Sequence, residues 1–105
     1  MKVTFYTTAS GRSPVLDYIQ QLPKQEKARL LEALEQIENH ELEAIRVRFR
    51  QIDGKLWEMK VSAHRIFYVL INADEMVLLH AYRKQGQKLP PNERAVAVKR
   101  MNEVL

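Results

Sequence analysis

The chain has 105 residues, of which 46% are hydrophobic and 29% are charged, so we expect one hydrophobic core and a single domain over residues 1–105. It contains no cysteine, which excludes disulfides, thiolate zinc sites and cysteine nucleophiles. No apolar run approaches the roughly 20 residues of a membrane span, and the N-terminal segment lacks the apolar core of a signal peptide, so we expect a cytoplasmic protein without membrane contact.

The formal net charge of +4 is unevenly distributed along the chain. Residues 1–45 contain 5 Lys and Arg against 7 Asp and Glu, whereas residues 46–105 contain 12 against 6. A basic half on a small domain attracts polyanions, with nucleic acid as the first candidate and an acidic protein as the second. The alternative interpretation is a solvated surface that favours solubility.

The N-terminal part predicts a strand followed by two helices. In MKVTFYT, Val3 and Phe5 alternate with polar neighbours, as in a strand with one buried face. Ser13 is placed to cap a helix that begins at Pro14, with an apolar stripe of Val15, Leu16, Ile19 and Leu22. Residues 24–41 are rich in helix formers and have an apolar stripe of Leu30, Leu31, Leu34 and Ile37. The two helices are predicted to form a hairpin.

From Ile45 the apolar pattern changes from a helical period to a period of two, and four antiparallel strands are predicted between residues 45 and 83. In IRVRFRQI one face is apolar and the other carries Arg46, Arg48 and Arg50. The dipeptide DG at 53–54 predicts a two-residue hairpin turn of type I′. The next strand places Trp57, Met59 and Val61 on one face. HRIFYVLI is apolar on both faces after Arg65, as in a central strand, and after a turn at NAD the segment EMVLLHAYR supplies the last strand.

The segment PPNERAVAVKRMNEVL predicts a terminal helix whose apolar side is formed by Ala95, Val98, Met101 and Leu105. The predicted fold class is α+β. An N-terminal strand and a helix hairpin pack on a mostly antiparallel, twisted sheet of about five strands, and the C-terminal helix lies near the other end or face of that sheet.

The order of these elements, together with DGKLWEMKV, HRIFYVL, VLLHAYRKQGQKLP and ERAVAVKRM, resembles the phage Gp49-like, HigB-type branch of the RelE/ParE toxin superfamily. The resemblance covers nearly the whole chain, and its most specific parts are LWE before a basic residue, RIFY, and an aromatic followed by basic residues and QKLP. It implies a RelE-like fold and the toxin half of a type II toxin–antitoxin pair. The implied partners are an adjacently encoded antitoxin, of helix-turn-helix, HigA-like type, and messenger RNA on the ribosome.

Cleavage of RNA without a metal requires cations and proton-transfer groups around one phosphate. Arg65 offers a fork of donors and Lys60 a point charge. Tyr82, Arg83 and Lys84 combine a stacking ring with two further cations. The resemblance places functional basic residues near Arg83 and Lys84, and we predict that Arg65, Arg83 and Lys84 converge on one phosphate.

Imidazole groups exchange protons near neutral pH, which makes His64 and His80 the candidates for proton transfer. A histidine in the position of His80, after the apolar run MVLL, is more often a hydrogen-bonded core residue. Trp57 has the spacing of a core anchor. The residues predicted to bind RNA or the ribosome are Arg46, Arg48, Arg50, Lys55 and Lys88. The arginine strand alternatively holds an acidic segment of the antitoxin.

The chain departs from the family pattern at Glu58. Ribosome-dependent RelE nucleases carry several basic residues along this strand, whereas this chain has an acidic residue there. We therefore expect a catalytic set with fewer residues or with different ones. No spacing of ligands suggests a metal site, and no glycine-rich phosphate loop occurs, so no cofactor or metal is predicted.

Three functions remain open: a ribosome-associated, metal-independent mRNA endonuclease toxin, a ParE-like inhibitor of DNA gyrase, and a non-catalytic, phage-derived module that binds nucleic acid or protein.

Overall fold

The computed structural model describes residues 1–40 and 47–105, and within these ranges eight elements follow one another along the chain. They are β1 (Lys2–Phe5), α1 (Pro14–Gln20), α2 (Lys24–His40), β2 (Arg48–Asp53), β3 (Leu56–Val61), β4 (His64–Asn72), β5 (Glu75–Arg83) and α3 (Pro91–Val104). The α+β class is confirmed, and the architecture is compatible with a RelE-like fold. No helix in the described ranges is long and apolar enough to cross a membrane.

The strands form one sheet in the order β1-β5-β4-β3-β2. Strands β2 to β5 are antiparallel neighbours, whereas β1 pairs with β5 in parallel. The mostly antiparallel, five-stranded sheet is therefore as predicted. The start of the predicted arginine strand, Ile45 and Arg46, lies outside the described residues, and β2 begins at Arg48.

The sheet has a hydrophobic core on each face, because successive strand residues point to opposite sides. The helix hairpin packs on one face, where the fully buried residues include Val15, Ile19, Leu30, Ile37, Met59, Ile66, Met76 and Leu78. Helix α3 packs on the other face, where the core comprises Leu56, Phe67, Val69, Val77, Leu79, Tyr82 and Ala97. The C-terminal helix thus lies on the face opposite the hairpin.

The buried side of α3 differs from the prediction. Ala97 is buried, and Val98, Met101 and Val104 pack beside it, whereas Ala95 is exposed and Leu105 is 53% exposed. Small apolar residues occur on more than one side of this helix, so its sequence leaves the orientation open. Apolar contacts with the sheet select the side, and the exposed ion pair between Arg94 and Asp53, at 3.0 Å, adds little to that choice.

The helix hairpin differs from the prediction in two details. Ser13 occupies the N-cap position of α1, but its buried hydroxyl forms no side-chain cap bond within the described residues. In α2, Leu31 is 43% exposed and Ala33 is buried instead. The buried stripe passes through Leu30 and returns every three to four residues, and Leu31 lies about 100° around the helix from it.

The hairpin between β2 and β3 has the predicted two-residue length, but its turn lies one residue beyond the predicted positions 53–54 and is of a different type. Asp53 pairs with Leu56, so the turn consists of Gly54 and Lys55. Gly54 has a φ of 54°, whereas Lys55 is not among the residues with positive φ. Type I′ requires positive φ at both positions, and positive φ at the first alone is the pattern of type II′. The type I′ prediction is therefore wrong.

Candidate nucleic-acid interface

A row of cations crosses the sheet on the face that carries α3. Arg48 of β2 pairs with Lys60 of β3, and Lys60 pairs with Arg65 of β4. Directly paired residues point to the same face, with Cβ atoms roughly 5 Å apart. On β5 the row ends at Tyr82, the partner of Arg65. We call Arg48, Lys60 and Arg65 the cationic row; it lies at the end of the sheet where β3 turns into β4.

The cationic row is electrostatically unfavourable on its own, because like charges directly opposite one another destabilise a sheet. Within the described residues, none of its three members has a carboxylate at ion-pair distance. Desolvation, followed by the charges of Arg50, Arg65 and Lys84, lowers the pKa of Lys60. A bound anion would relieve this repulsion, which makes the row a candidate phosphate site.

The row borders a concavity of about 300 Å³ that is lined by Arg48, Lys60, Ser62 and Arg65. Ser62 begins the two-residue turn between β3 and β4 and has a φ of 55°. This left-handed conformation costs a non-glycine residue on the order of 1–3 kcal/mol. Nη1 of Arg65 donates to the carbonyl oxygens of Ser62 and His64, at 2.8 and 3.0 Å. These bonds brace the turn and hold the guanidinium beside the concavity.

A buried carboxylate lies next to the cationic row. Glu58 is 1% exposed. Its Oε1 accepts a hydrogen bond from Nη2 of Arg50, and its Oε2 accepts one from the hydroxyl of Tyr82, both at 3.2 Å. Burial, followed by the charge of Glu58, raises the pKa of Tyr82 to about 12. The phenol therefore stays protonated at neutral pH and remains in place beside Arg65.

An aromatic stack supports this end of the sheet from the α3 side. Phe67 stacks on His80, with ring centroids 6.3 Å apart, and on Tyr82, with centroids 5.7 Å apart. Nε2 of His80 lies 2.7 Å from the carboxylate of Glu93, and its Nδ1 lies 3.3 Å from Nη1 of Arg100. His80 thus shares the face of the cationic row, but α3 engages both of its ring nitrogens.

Two predicted site residues lie on the opposite face of the sheet. His64 and Arg83 pair with each other and point towards the helix hairpin. His64 is 1% exposed; its Nδ1 lies 2.6 Å from the hydroxyl of Tyr18 and its Nε2 lies 2.9 Å from Oε1 of Glu26. The same oxygen accepts a hydrogen bond from Arg83 at 2.7 Å. The predicted convergence of Arg83 with Arg65 is therefore wrong, and His64 is a hydrogen-bonded core residue.

The contacts of Glu26 predict a loss of stability in acid. The hydrogen bond from Arg83 is the largest of the effects that lower the pKa of Glu26 below its ordinary value of 4.5. A carboxylate whose pKa is lowered by folding stabilises the fold above its unfolded pKa, and this contribution is lost as the pH falls. We expect the free energy of unfolding to decrease below about pH 4.5, and Glu26→Gln to make that decrease shallower.

Denaturant titrations at a series of pH values would measure this effect. Glu32→Gln, which removes an exposed acid from the same helix, is the matched control and should keep the wild-type pH dependence. If the unfolding free energy of Glu26→Gln fell with pH as steeply as that of the wild type, Glu26 would not be the source of the acid sensitivity.

Lys84 lies close to the cationic row. It directly follows β5, and its backbone N–H donates to the carbonyl of Ala63, in the β3–β4 turn, at 2.8 Å. Its charge is also one of those that lower the pKa of Lys60. The backbone of Lys84 thus lies beside the turn that borders the cationic row, and its role at a phosphate stays a prediction.

Only some of the residues predicted to bind RNA or the ribosome lie together. Arg48 belongs to the cationic row, and Arg50 is beside it with Glu58. Lys55 lies in the β2–β3 turn at the other end of the sheet, and Lys88 lies in the exposed segment before α3. Arg46 lies outside the described residues.

Sequence reasoning missed the contributions of Glu58 and Ser62. Glu58 stood out only as a departure from a basic pattern, and its contacts with Arg50 and Tyr82 depend on the register of the four strands β2 to β5. Ser62 lies in the dipeptide SA, which was predicted only to be a short connection. The two-residue spacing between two strand-like segments could have indicated its positive φ, because such a tight turn requires an unusual φ in at least one residue.

A family model described as "Phage derived protein Gp49-like (DUF891)" matches residues 17–102. The matched range includes the whole cationic row, Glu58, Tyr82 and most of the helix hairpin. Among curated proteins, none matches the chain.

Proposed function

The chain belongs to the Gp49-like family of phage-derived proteins, and on that premise we propose that it is the toxin of a type II toxin–antitoxin pair that cleaves messenger RNA on the ribosome. The cationic row is the observation that carries this proposal. Three cations on adjacent strands border one concavity with no carboxylate between them. Such an arrangement suits the phosphodiester of an RNA strand, whose negative charge offsets their repulsion.

Phosphate binding is assigned to Arg48 and Arg65. A guanidinium fork matches the geometry of phosphate oxygens and can donate two parallel hydrogen bonds. Nη1 of Arg65 is engaged by the turn and its Nε is buried, so Nη2 is the nitrogen of this side chain that is left to donate to a phosphate. As negative charge develops on the phosphate oxygens in the transition state, donors already held in position lower the barrier.

Proton transfer is assigned to Lys60. Its lowered pKa eases the exchange of a proton with the attacking 2′-hydroxyl or the leaving 5′-oxygen. Tyr82 and Glu58 act as positioning residues, because their mutual hydrogen bond fixes the ring that borders Arg65. Lys60 thus takes the role for which the sequence suggested His64 and His80.

The proposal includes an antitoxin, expected to be a helix-turn-helix protein encoded beside this chain. The exposed guanidinium groups of Arg48 and Arg50 lie on strand β2, at an edge of the sheet. An acidic segment of the antitoxin that covers this edge would neutralise the cationic row and exclude RNA from it.

We expect expression of the protein without its antitoxin to arrest growth and to cut translated messages. Because the 2′-hydroxyl is the proposed nucleophile, the upstream fragments should end in a 2′,3′-cyclic phosphate or its 3′-phosphate product. Cleavage should survive EDTA at concentrations that leave ribosomes intact. Mapping of RNA ends, together with the chemistry of the fragment termini, tests the proposal.

Lys60→Ala provides the control for that experiment, since it should fold normally and leave messages intact. If transcripts stay whole while gyrase-linked DNA breaks accumulate, the protein is a gyrase inhibitor with the same fold. Fragments that end in a 3′-hydroxyl and require added magnesium would contradict the proposed chemistry.

A further inference from the structure

Lys60 is the middle member of the cationic row. Its paired neighbours, Arg48 on β2 and Arg65 on β4, flank it on both sides. All three side chains line the concavity of about 300 Å³ at this end of the sheet. No carboxylate of residues 1–40 or 47–105 lies at ion-pair distance from the ammonium group of Lys60. The amine thus lines the concavity beside two guanidinium groups, without an acidic partner there that would hold its proton.

The surroundings of Lys60 favour its uncharged amine. Desolvation is the largest effect that lowers the pKa of Lys60, and the charges of Arg50, Arg65 and Lys84 follow. Only the uncharged amine has the free electron pair that attacks an electrophile. Burial and neighbouring cations are two ways in which proteins activate a lysine as a nucleophile. Lys60 therefore combines a reactive nitrogen with an anion site directly beside it.

An electrophile that suits this arrangement carries a phosphate next to its reactive carbon. Guanidinium groups bind phosphate oxygens through directed hydrogen bonds. The guanidinium of Arg48 is exposed, and Nη2 of Arg65 is left to donate. The concavity of about 300 Å³ is larger than the cavity of about 150 Å³ that holds a benzene molecule. A small acyl phosphate therefore has room there, with its carbonyl carbon beside Lys60.

We propose that the cationic row is also a site of lysine modification, at which Lys60 takes the acyl group of a small acyl phosphate. Nζ of Lys60 attacks the carbonyl carbon, and a C–N bond forms. The bond between this carbon and the bridging oxygen breaks, and phosphate leaves with the electron pair. The nitrogen gives one proton to the leaving phosphate or to water, so the products are an amide and inorganic phosphate. Arg48 and Arg65 stabilise the charge that develops on the leaving group.

Acylation would inactivate the cationic row. An amide nitrogen has no positive charge and exchanges no proton near neutral pH, so the modified Lys60 would neither attract a phosphate nor transfer a proton. The acylation itself rests on the geometry of the row alone. Its effect on RNA cleavage rests on the proposed function, and the two are measured separately.

The test compares two acetyl donors, acetyl phosphate and the uncharged N-hydroxysuccinimide ester of acetic acid, and locates the modified lysines by peptide mass spectrometry. With acetyl phosphate, Lys60 should react about tenfold faster than the exposed Lys55, which is the effect of one charge-assisted hydrogen bond to the phosphate. Inorganic phosphate should protect Lys60 from acetyl phosphate but not from the ester.

Arg48→Ala separates the phosphate site from the reactivity of the amine. This variant should lose most of the advantage of Lys60 with acetyl phosphate. The charges that lower the pKa of Lys60 come from other residues, so its reaction with the uncharged ester should stay unchanged. Arg94→Ala is the matched control, because Arg94 pairs with Asp53 at the other end of the sheet. It should keep the wild-type rates with both donors.

Equal rates at Lys60 and Lys55 with acetyl phosphate, or no protection by inorganic phosphate, would overturn the inference even if the protein cleaves RNA. An equal loss of both reactions in Arg48→Ala would overturn it as well. Selective acetylation of Lys60 in a protein that leaves transcripts intact would support the modification site and contradict the nuclease proposal instead. If protein acetylated at Lys60 cleaves RNA at the unmodified rate, acylation does not inactivate the row and proton transfer does not belong to Lys60.

Discussion

We expect Arg65→Ala to lower RNA cleavage by about 10²-fold or more, because loss of one donor that stabilises developing charge costs about 3–4 kcal/mol. Arg83→Ala is the matched control. Arg83 is also a strand arginine, one residue beyond the partner of Arg65, but it points to the hairpin face and binds Glu26. The Arg83→Ala variant should therefore cleave RNA at a rate within a few-fold of the wild-type rate.

A second pair of variants separates the chemistry of Arg65 from its contact with the turn. Arg65 donates to the carbonyl of Ser62, whose φ is 55°. Ser62→Gly relieves the strain at this position, because glycine adopts positive φ without a steric penalty. If Arg65 acted only by bracing the turn, Ser62→Gly would restore activity to Arg65→Ala; we expect no restoration.

Cleavage rates and melting temperatures of these variants decide the matter. A folded Arg65→Ala variant with wild-type activity would remove Arg65 from the site. An inactive but stable Arg83→Ala variant would return the site to the convergence that the sequence predicted.

We expect Phe67→Ala to cost about 3–5 kcal/mol of unfolding free energy, as other large-to-small aromatic substitutions in cores do. Phe67 is fully buried, and its ring stacks on both His80 and Tyr82. Trp57 was the core anchor predicted from spacing, and it does pack against the hairpin-side core, but it is only partly buried. Trp57→Ala should therefore cost less, about 1–3 kcal/mol.

Equilibrium unfolding in denaturant measures both effects, and the order of the two losses is the decisive result. Phe67→Leu keeps most of the apolar surface but removes the stacked ring, so its cost should lie well below that of Phe67→Ala. A larger loss for Trp57→Ala than for Phe67→Ala would show that the anchor of the sheet had been assigned to the wrong face.

The sequence by itself determined the kinds of element and their order. Helix propensity and the 3.6-residue period identified α1 and α2, the period of two identified β2 and β3, and apolar segments bounded by turn signals identified β4 and β5. These signals are local, because each arises from residues within a few positions of one another. The basic character of the second half of the chain was available in the same way, and so was the candidacy of Lys60, Arg65 and Tyr82.

The tertiary structure alone decided which of the candidate residues meet. A shift of one residue in strand register moves every side chain to the other face, and β4 and β5 contain register shifts that local sequence does not reveal. The pairing of His64 with Arg83 and of Arg65 with Tyr82 decides that Arg83 and His64 face the hairpin while Arg65 and Tyr82 face α3. The pairing of Glu58 with Arg50 and Tyr82 likewise depends on residues 8 and 24 positions away. Long-range pairing and packing, which no local period encodes, brought the cationic row together.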